Sequence, residues 1–170
     1  MFGRQPPRAQ RIPAPPGTEL REFRFIFHSD PRNLGLEKDQ LRALAEGFVR
    51  ANEMAIAANP GAYPQTIEQA ALRYVKPVRC NDPHPCQRVL GVGPLFELGE
   101  ETCLGLAALH CALLRYFDND AGARVAIEPQ SRFSRGAWHA LVVTGAGRVL
   151  DTQSIVEQQF GMVAGRRPIR

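Results

Sequence analysis

The sequence has no apolar run long enough to cross a membrane, and its N-terminal arginines, Arg4, Arg8 and Arg11, are not followed by the apolar stretch of a secretory signal. The expectation is a cytoplasmic protein with no membrane partner. Acidic residues are missing at both ends: Met1–Thr18 holds three arginines and Gly165–Arg170 three more, which leaves fifteen basic against seventeen acidic residues between them. The net charge of +4 therefore belongs to the tails, and the body of the chain is close to neutral. No aromatics interleave with these arginines and no internal repeat is visible, so nucleic-acid binding would rest on the basic tails alone. Cysteine is scarce, and without an export signal Cys80, Cys86, Cys103 and Cys111 are expected as free thiols rather than a disulfide framework. Cys80, His84 and Cys86 could offer three donors to zinc, but two prolines in so short a loop and the lack of a fourth ligand nearby argue against it. No metal and no organic cofactor is expected.

What is present is an ordinary globular composition, 44% apolar and 22% charged, in 170 residues. That length buries a core without staples. The expected organisation is a Pro/Arg-rich extended arm over 1–18, one domain over 19–160 and a basic tail over 161–170. The arm has five prolines before Gly17 and too few large apolar residues to fold on itself.

Within the domain, alternation of Leu20, Phe23, Phe25 and Phe27 with charged residues predicts a strand over Glu19–Phe27. Leu41, Leu44, Phe48, Ala51 and Ala55 recur at helical spacing and predict a helix from about Glu37 to Ala58, stopped by Asn59-Pro60-Gly61. A second helix is expected over Thr66–Val75. Val78–Pro94 reads as a long irregular connection that could wall a cleft. Thr102–Phe117 is the most apolar helix, with His110 the only polar side chain between Cys103 and Leu114, so it should be central. Strands follow at Arg124–Glu128, Trp138–Thr144 and Arg148–Gln153, the last two joined by a hairpin at Gly145-Ala146-Gly147.

Cysteine is a good nucleophile only as thiolate, which a helix N-terminus and a neighbouring imidazolium both favour. Thr102 is a good N-cap residue, so Cys103 should lie in the first turn of its helix, near the positive end of the dipole. Glu100 and Glu101 oppose this by like charge unless their side chains turn away. His110 is seven residues on, about 10 Å along the helix axis and beyond hydrogen-bond reach of the sulfur. His28 and His84 lie outside the region, which leaves His139 as the candidate base. Asp151 falls near it across the hairpin ladder, placed to orient the imidazole. Each residue alone has a plain structural reading: Cys103 as a small core residue, His139 bonded to a carbonyl, Asp151 as a turn former. Their order along one helix and two paired strands is what carries the catalytic reading.

Taken in order, Gly99 and Cys103, Ala107-Ala108-Leu109, Leu113-Leu114-Arg115-Tyr116, Gly122-Ala123-Arg124-Val125, His139-Ala140 and Leu150-Asp151-Thr152 resemble the transglutaminase-like branch of the papain-like cysteine protease/acyltransferase superfamily. With Leu72-Arg73-Tyr74-Val75 upstream, the resemblance covers Leu72 to Gln153, about half of the chain. It implies an α+β fold with a central Cys-bearing helix packed on a small antiparallel sheet. It also implies Cys103 as nucleophile, His139 as general base and acid, and Asp151 as orienter. The oxyanion would be held by the Cys103 N–H and a further donor, for which Gln87 and Asn81 are candidates. The chain departs from the family pattern by an extra residue between Gly99 and Cys103 and by Leu141 where an aromatic residue often follows His-Ala.

Two functions follow. One is a cysteine-dependent acyl-transfer enzyme acting on a protein or peptide substrate, by amide hydrolysis or by cross-linking to an amine. The other is a catalytically inactive structural or assembly protein on the same fold, for example a phage virion component, with the 1–18 and 161–170 tails contacting other subunits.

Overall fold

A computed structural model describes residues 22–26, 34–75, 86–129 and 138–163. The 1–18 arm, Asn81, and the Cys80–Pro85 part of the candidate zinc loop fall outside these residues.

The architecture is α+β. The strand β1 (Glu22–Ile26) pairs antiparallel with β3 (Cys86–Leu90). The 25-residue helix α1 (Leu34–Ala58) turns Leu41, Ala45, Phe48, Val49, Ala55 and Ile56 into the core. It packs along α3 (Cys103–Phe117), whose residues from Cys103 to Leu113 are all buried, as expected for a helix apolar on every side. An antiparallel sheet of β5 (Arg124–Pro129), β6 (Trp138–Val143) and β7 (Val149–Leu150), in that order, packs on α3 mainly through β6 and on α1 through β5. Val125 and Ile127 of β5 and Ala140 and Val142 of β6 point inward at every second position.

One charged cluster ties α1 to α3. Arg115 donates in parallel from its two terminal nitrogens to Glu46, at 2.8 and 3.0 Å, and from Nε to the Ala123 carbonyl at 2.8 Å. A bidentate fork of this kind fixes orientation as well as adding attraction. It holds the Glu46 carboxyl below its ordinary range. The Cys111 thiol nearby is free, and burial pushes it up to about 12, so it is unreactive at neutral pH.

Three expectations need correction. The helix expected over Thr66–Val75 is a 3-10 turn over Ile67–Ala70, a left-handed Ala71 (φ 50°) and a short strand β2 (Arg73–Tyr74). Here tertiary pairing overrides local periodicity: Arg73 N–H donates to the Gly99 carbonyl at 3.0 Å and Val75 N–H to the Glu101 carbonyl at 2.9 Å, making β2 parallel to β4 (Glu100–Glu101). The long connection before Cys103 is not irregular throughout, because it contains β3 and the seven-residue helix α2 (Val92–Leu98). The β3 strand depends on a partner some sixty residues away, and Pro94 sits in the first turn of α2, where a missing N–H costs nothing. The strand expected over Arg148–Gln153 stops at Leu150, and α4 (Thr152–Val163) begins immediately after Asp151. The hairpin turn before it is where it was expected, with Thr144 N–H donating to the Arg148 carbonyl at 2.9 Å. Thr102 is the N-cap of α3, but its side chain makes no capping bond.

Candidate active site

The nucleophile candidate is placed by a compact turn. Gly99, in the left-handed region at φ 73°, closes α2 by donating its N–H to the Leu95 carbonyl at 2.9 Å. β4 then crosses beside β2, and α3 starts at Cys103. The two carboxylates that would repel a thiolate are both engaged. Glu100 is ion-paired with Arg73. Glu101 is fully buried and accepts from the backbone N–H of Thr102 at 2.7 Å and of Leu90 at 2.6 Å. Its side chain lies over Gly105, where a Cβ would fall 2.4 Å from Glu101 Cγ. Glycine at 105 is therefore what allows this carboxylate to fold back across the first turn of α3.

Cys103 is buried, at 7% exposure, and its thiol is hydrogen-bonded to the His139 side chain. His139 Nε2 lies 3.1 Å from Asp151 Oδ1. With Nε2 engaged there, Nδ1 is the ring nitrogen left for the sulfur. The ladder between β6 and β7 pairs Val142 with Leu150. Continued by one residue, it sets Asp151 diagonally from His139 on one face of the sheet, within reach of a long side chain. Asp151 is also the residue that starts α4. It accepts from Ser154 N–H at 3.2 Å and from the Ser154 hydroxyl at 2.9 Å, as an N-cap residue does, while its carbonyl accepts from Ile155 N–H. One carboxylate thus caps a helix and holds the imidazole.

The electrostatics follow this geometry. The hydrogen bond to Cys103, with the bond and charge of Asp151, outweighs burial and raises the His139 pKa to about 9. Burial pulls the Asp151 carboxyl upward, but the two Ser154 donors and the imidazolium together leave it below its ordinary range. An imidazolium beside a sulfur favours the thiolate. His139 also makes stability depend on pH. Its ordinary pKa of 6.5 applies to the unfolded chain, so its contribution is fully present below about pH 6.5 and is lost as pH rises through about 9. Urea unfolding of wild type and His139→Gln should show the stability difference between them shrinking over that window. Parallel curves would contradict the assignment.

Next to His139 and Asp151 an open cleft of about 340 Å³ is lined by Glu128, Pro129 and Gln153. Sequence reasoning missed these residues. The register that sets Glu128 opposite His139 and Pro129 opposite Trp138 could have found two of them, and the N-cap pattern Asp-Thr-Gln-Ser the third. It also missed Tyr74, which the β2–β4 pairing sets opposite Glu101. The Tyr74 hydroxyl is pushed up by burial and by the charges of Cys103 and Glu157, so it lies within electrostatic reach of the thiol. His110 is away from the sulfur, as its spacing requires, and bonds Thr152 instead. Of the two oxyanion candidates, Asn81 and the side chain of Gln87 both lie outside the described residues. The Cys103 N–H, first in its helix, has no intrahelical acceptor.

Among the described residues no three His, Cys, Asp or Glu side chains are grouped to hold a metal ion, and no helix is long and apolar enough to cross a membrane. Comparison with known protein families, with curated proteins and with solved structures gives no match.

Proposed function

We propose that this protein is a cysteine-nucleophile acyl-transfer enzyme in which Cys103, His139 and Asp151 act as nucleophile, general acid–base and orienter. The observation that carries this reading is the single imidazole bonded on one side to a thiol at a helix start and on the other to a capped carboxylate. The motif order from Leu72 to Gln153 supports a scaffold of the transglutaminase-like kind.

In the reaction the Cys103 thiolate adds to the carbonyl of a protein or peptide amide, and the negative oxygen is met by the Cys103 N–H. The C–N bond breaks as His139 gives its proton to the leaving amine, which leaves a thioester on Cys103. Neutral His139 then takes a proton from water or from an acceptor amine as that group attacks the thioester, releasing a carboxylic acid or a new amide and restoring the thiol pair. Asp151 keeps the ring in register through both steps. Gln153 and Glu128 line the cleft beside the imidazole and supply its polar wall.

A p-nitrophenyl acyl ester tests the first step directly. Mass spectrometry should find one acyl group on Cys103, with release of one p-nitrophenol, and none in Cys103→Ala. An adduct on another residue, or none on the wild type, would contradict the proposal.

A further inference from the structure

Two turns along α3 from the thiol, His110 is buried, at 5% exposure, yet its ring lines a second cavity of about 160 Å³. The mechanism above makes no use of it. His110 Nδ1 lies 2.9 Å from the hydroxyl of Thr152, which is fully buried. Among the described residues that hydroxyl has no other acceptor, so it donates to Nδ1 and leaves Nε2–H as the polar group the ring offers the cavity.

Three charged side chains share the lining: Glu68 from the 3-10 turn, Asp118 at the end of α3, and Arg148 before β7. None of the three is ion-paired among the described residues, so both signs are presented to the cavity separately. Leu113 and Ile155 supply apolar wall between them. Burial holds His110 below the ordinary histidine range, with Glu68 and Asp118 opposing and Arg148 reinforcing it. The ring is then a neutral donor at pH 7.

We propose that this cavity is a binding site for a free α-amino acid with an aliphatic side chain. The carboxylate meets Arg148 and His110 Nε2–H, the ammonium meets Glu68 and Asp118, and the side chain lies on Leu113 and Ile155. A zwitterion is the ligand that uses both signs of charge at once, whereas a simple amine would leave Arg148 and the imidazole donor unmatched. The volume corresponds to about five waters at ~30 Å³ each, which suits one small amino acid rather than a peptide. The site is one hydrogen bond from Thr152, the neighbour of Asp151 in the chain. Binding itself does not depend on the catalytic reading.

The test is an NMR titration of the His110 imidazole, with calorimetry, using L-leucine, L-leucinamide and N-acetyl-L-leucine as probes. L-Leucine should shift His110 saturably. The amide and the N-acetyl compound, which stand for peptide termini and lack one charge each, should bind about tenfold more weakly or worse. Glu68→Gln and Arg148→Gln are exposed changes that leave the fold intact and should weaken L-leucine by a similar factor. Binding should be unchanged in Cys103→Ser. The proposal is overturned if L-leucine causes no saturable shift, if all three probes bind equally, or if Cys103→Ser abolishes binding, which would place the ligand in the triad cleft.

Discussion

Replacing His139 with alanine is expected to lower the acyl-transfer rate by about 10²–10⁴-fold while the protein stays folded. The imidazole is the hydrogen-bond partner of the thiol and the only histidine among the described residues that reaches it. Its removal takes away the proton donor for the leaving amine and the cation that favours the thiolate. Asp151 allows the role in catalysis to be separated from the role in the fold. Asparagine is as good an N-cap as aspartate, so Asp151→Asn should keep α4 capped and lose only the charge that Asp151 sets beside the His139 imidazolium, while the rate falls. Asp151→Ala loses the cap as well, which costs about 1 kcal/mol in addition. Equal rates in wild type and Asp151→Asn would remove Asp151 from the mechanism.

The largest stability effect is expected from one added methyl group. In Gly105→Ala the new Cβ would lie 2.4 Å from Glu101 Cγ, 2.5 Å from Cδ and 2.8 Å from Oε2. Glu101 cannot yield cheaply, because it is fully buried and its two oxygens hold the N–H groups of Leu90 and Thr102. Moving it breaks charge-assisted bonds and strands a buried carboxylate, a change worth about 3–5 kcal/mol. Better helix propensity returns only about 1 kcal/mol. Set against a total of roughly 5–15 kcal/mol, the variant should be close to unfolding. Denaturant unfolding checks the size, and a double-mutant cycle with Glu101→Ala checks the cause: the second substitution should recover much of the loss. Simple additivity would mean that the methyl group clashes with something else.

The residues behind these two predictions differ in how far the amino-acid sequence alone reveals them. The meeting of Cys103, His139 and Asp151 is legible because each stands where a local signal is strong: Cys103 after an N-cap residue and before an apolar helix, His139 in an alternating strand, Asp151 just beyond a glycine-marked hairpin. The helical periodicity of Leu41 to Ala55 and the all-round apolar pattern of α3 carry the core for the same reason. What escapes depends on partners distant in the chain. β3 forms against β1, and β2 forms against β4, so the local helical pattern of Thr66–Val75 misleads. Asp151 reads as the end of a strand, whereas its role as the N-cap of α4 depends on Ser154 three residues later. The effect of Glu101 is hidden as well. Its charge argues against a thiolate until Leu90, eleven residues back, is seen to supply one of its two N–H donors. The turn from Gly99 to Cys103 has a physical account of its own: Gly99 closes α2, Glu100 pairs with Arg73, and Glu101 packs over Gly105.

The central claim is that Cys103 and His139 form a working thiol–imidazole pair, and the pH dependence of alkylation by iodoacetamide at each thiol tests it most directly. Cys103 should be alkylated readily at neutral pH, Cys111 should stay unlabelled in the folded protein, and His139→Ala should slow the labelling of Cys103. If Cys103 is inert in the folded wild type, or if its profile is the same in His139→Ala, the protein is not the enzyme proposed here.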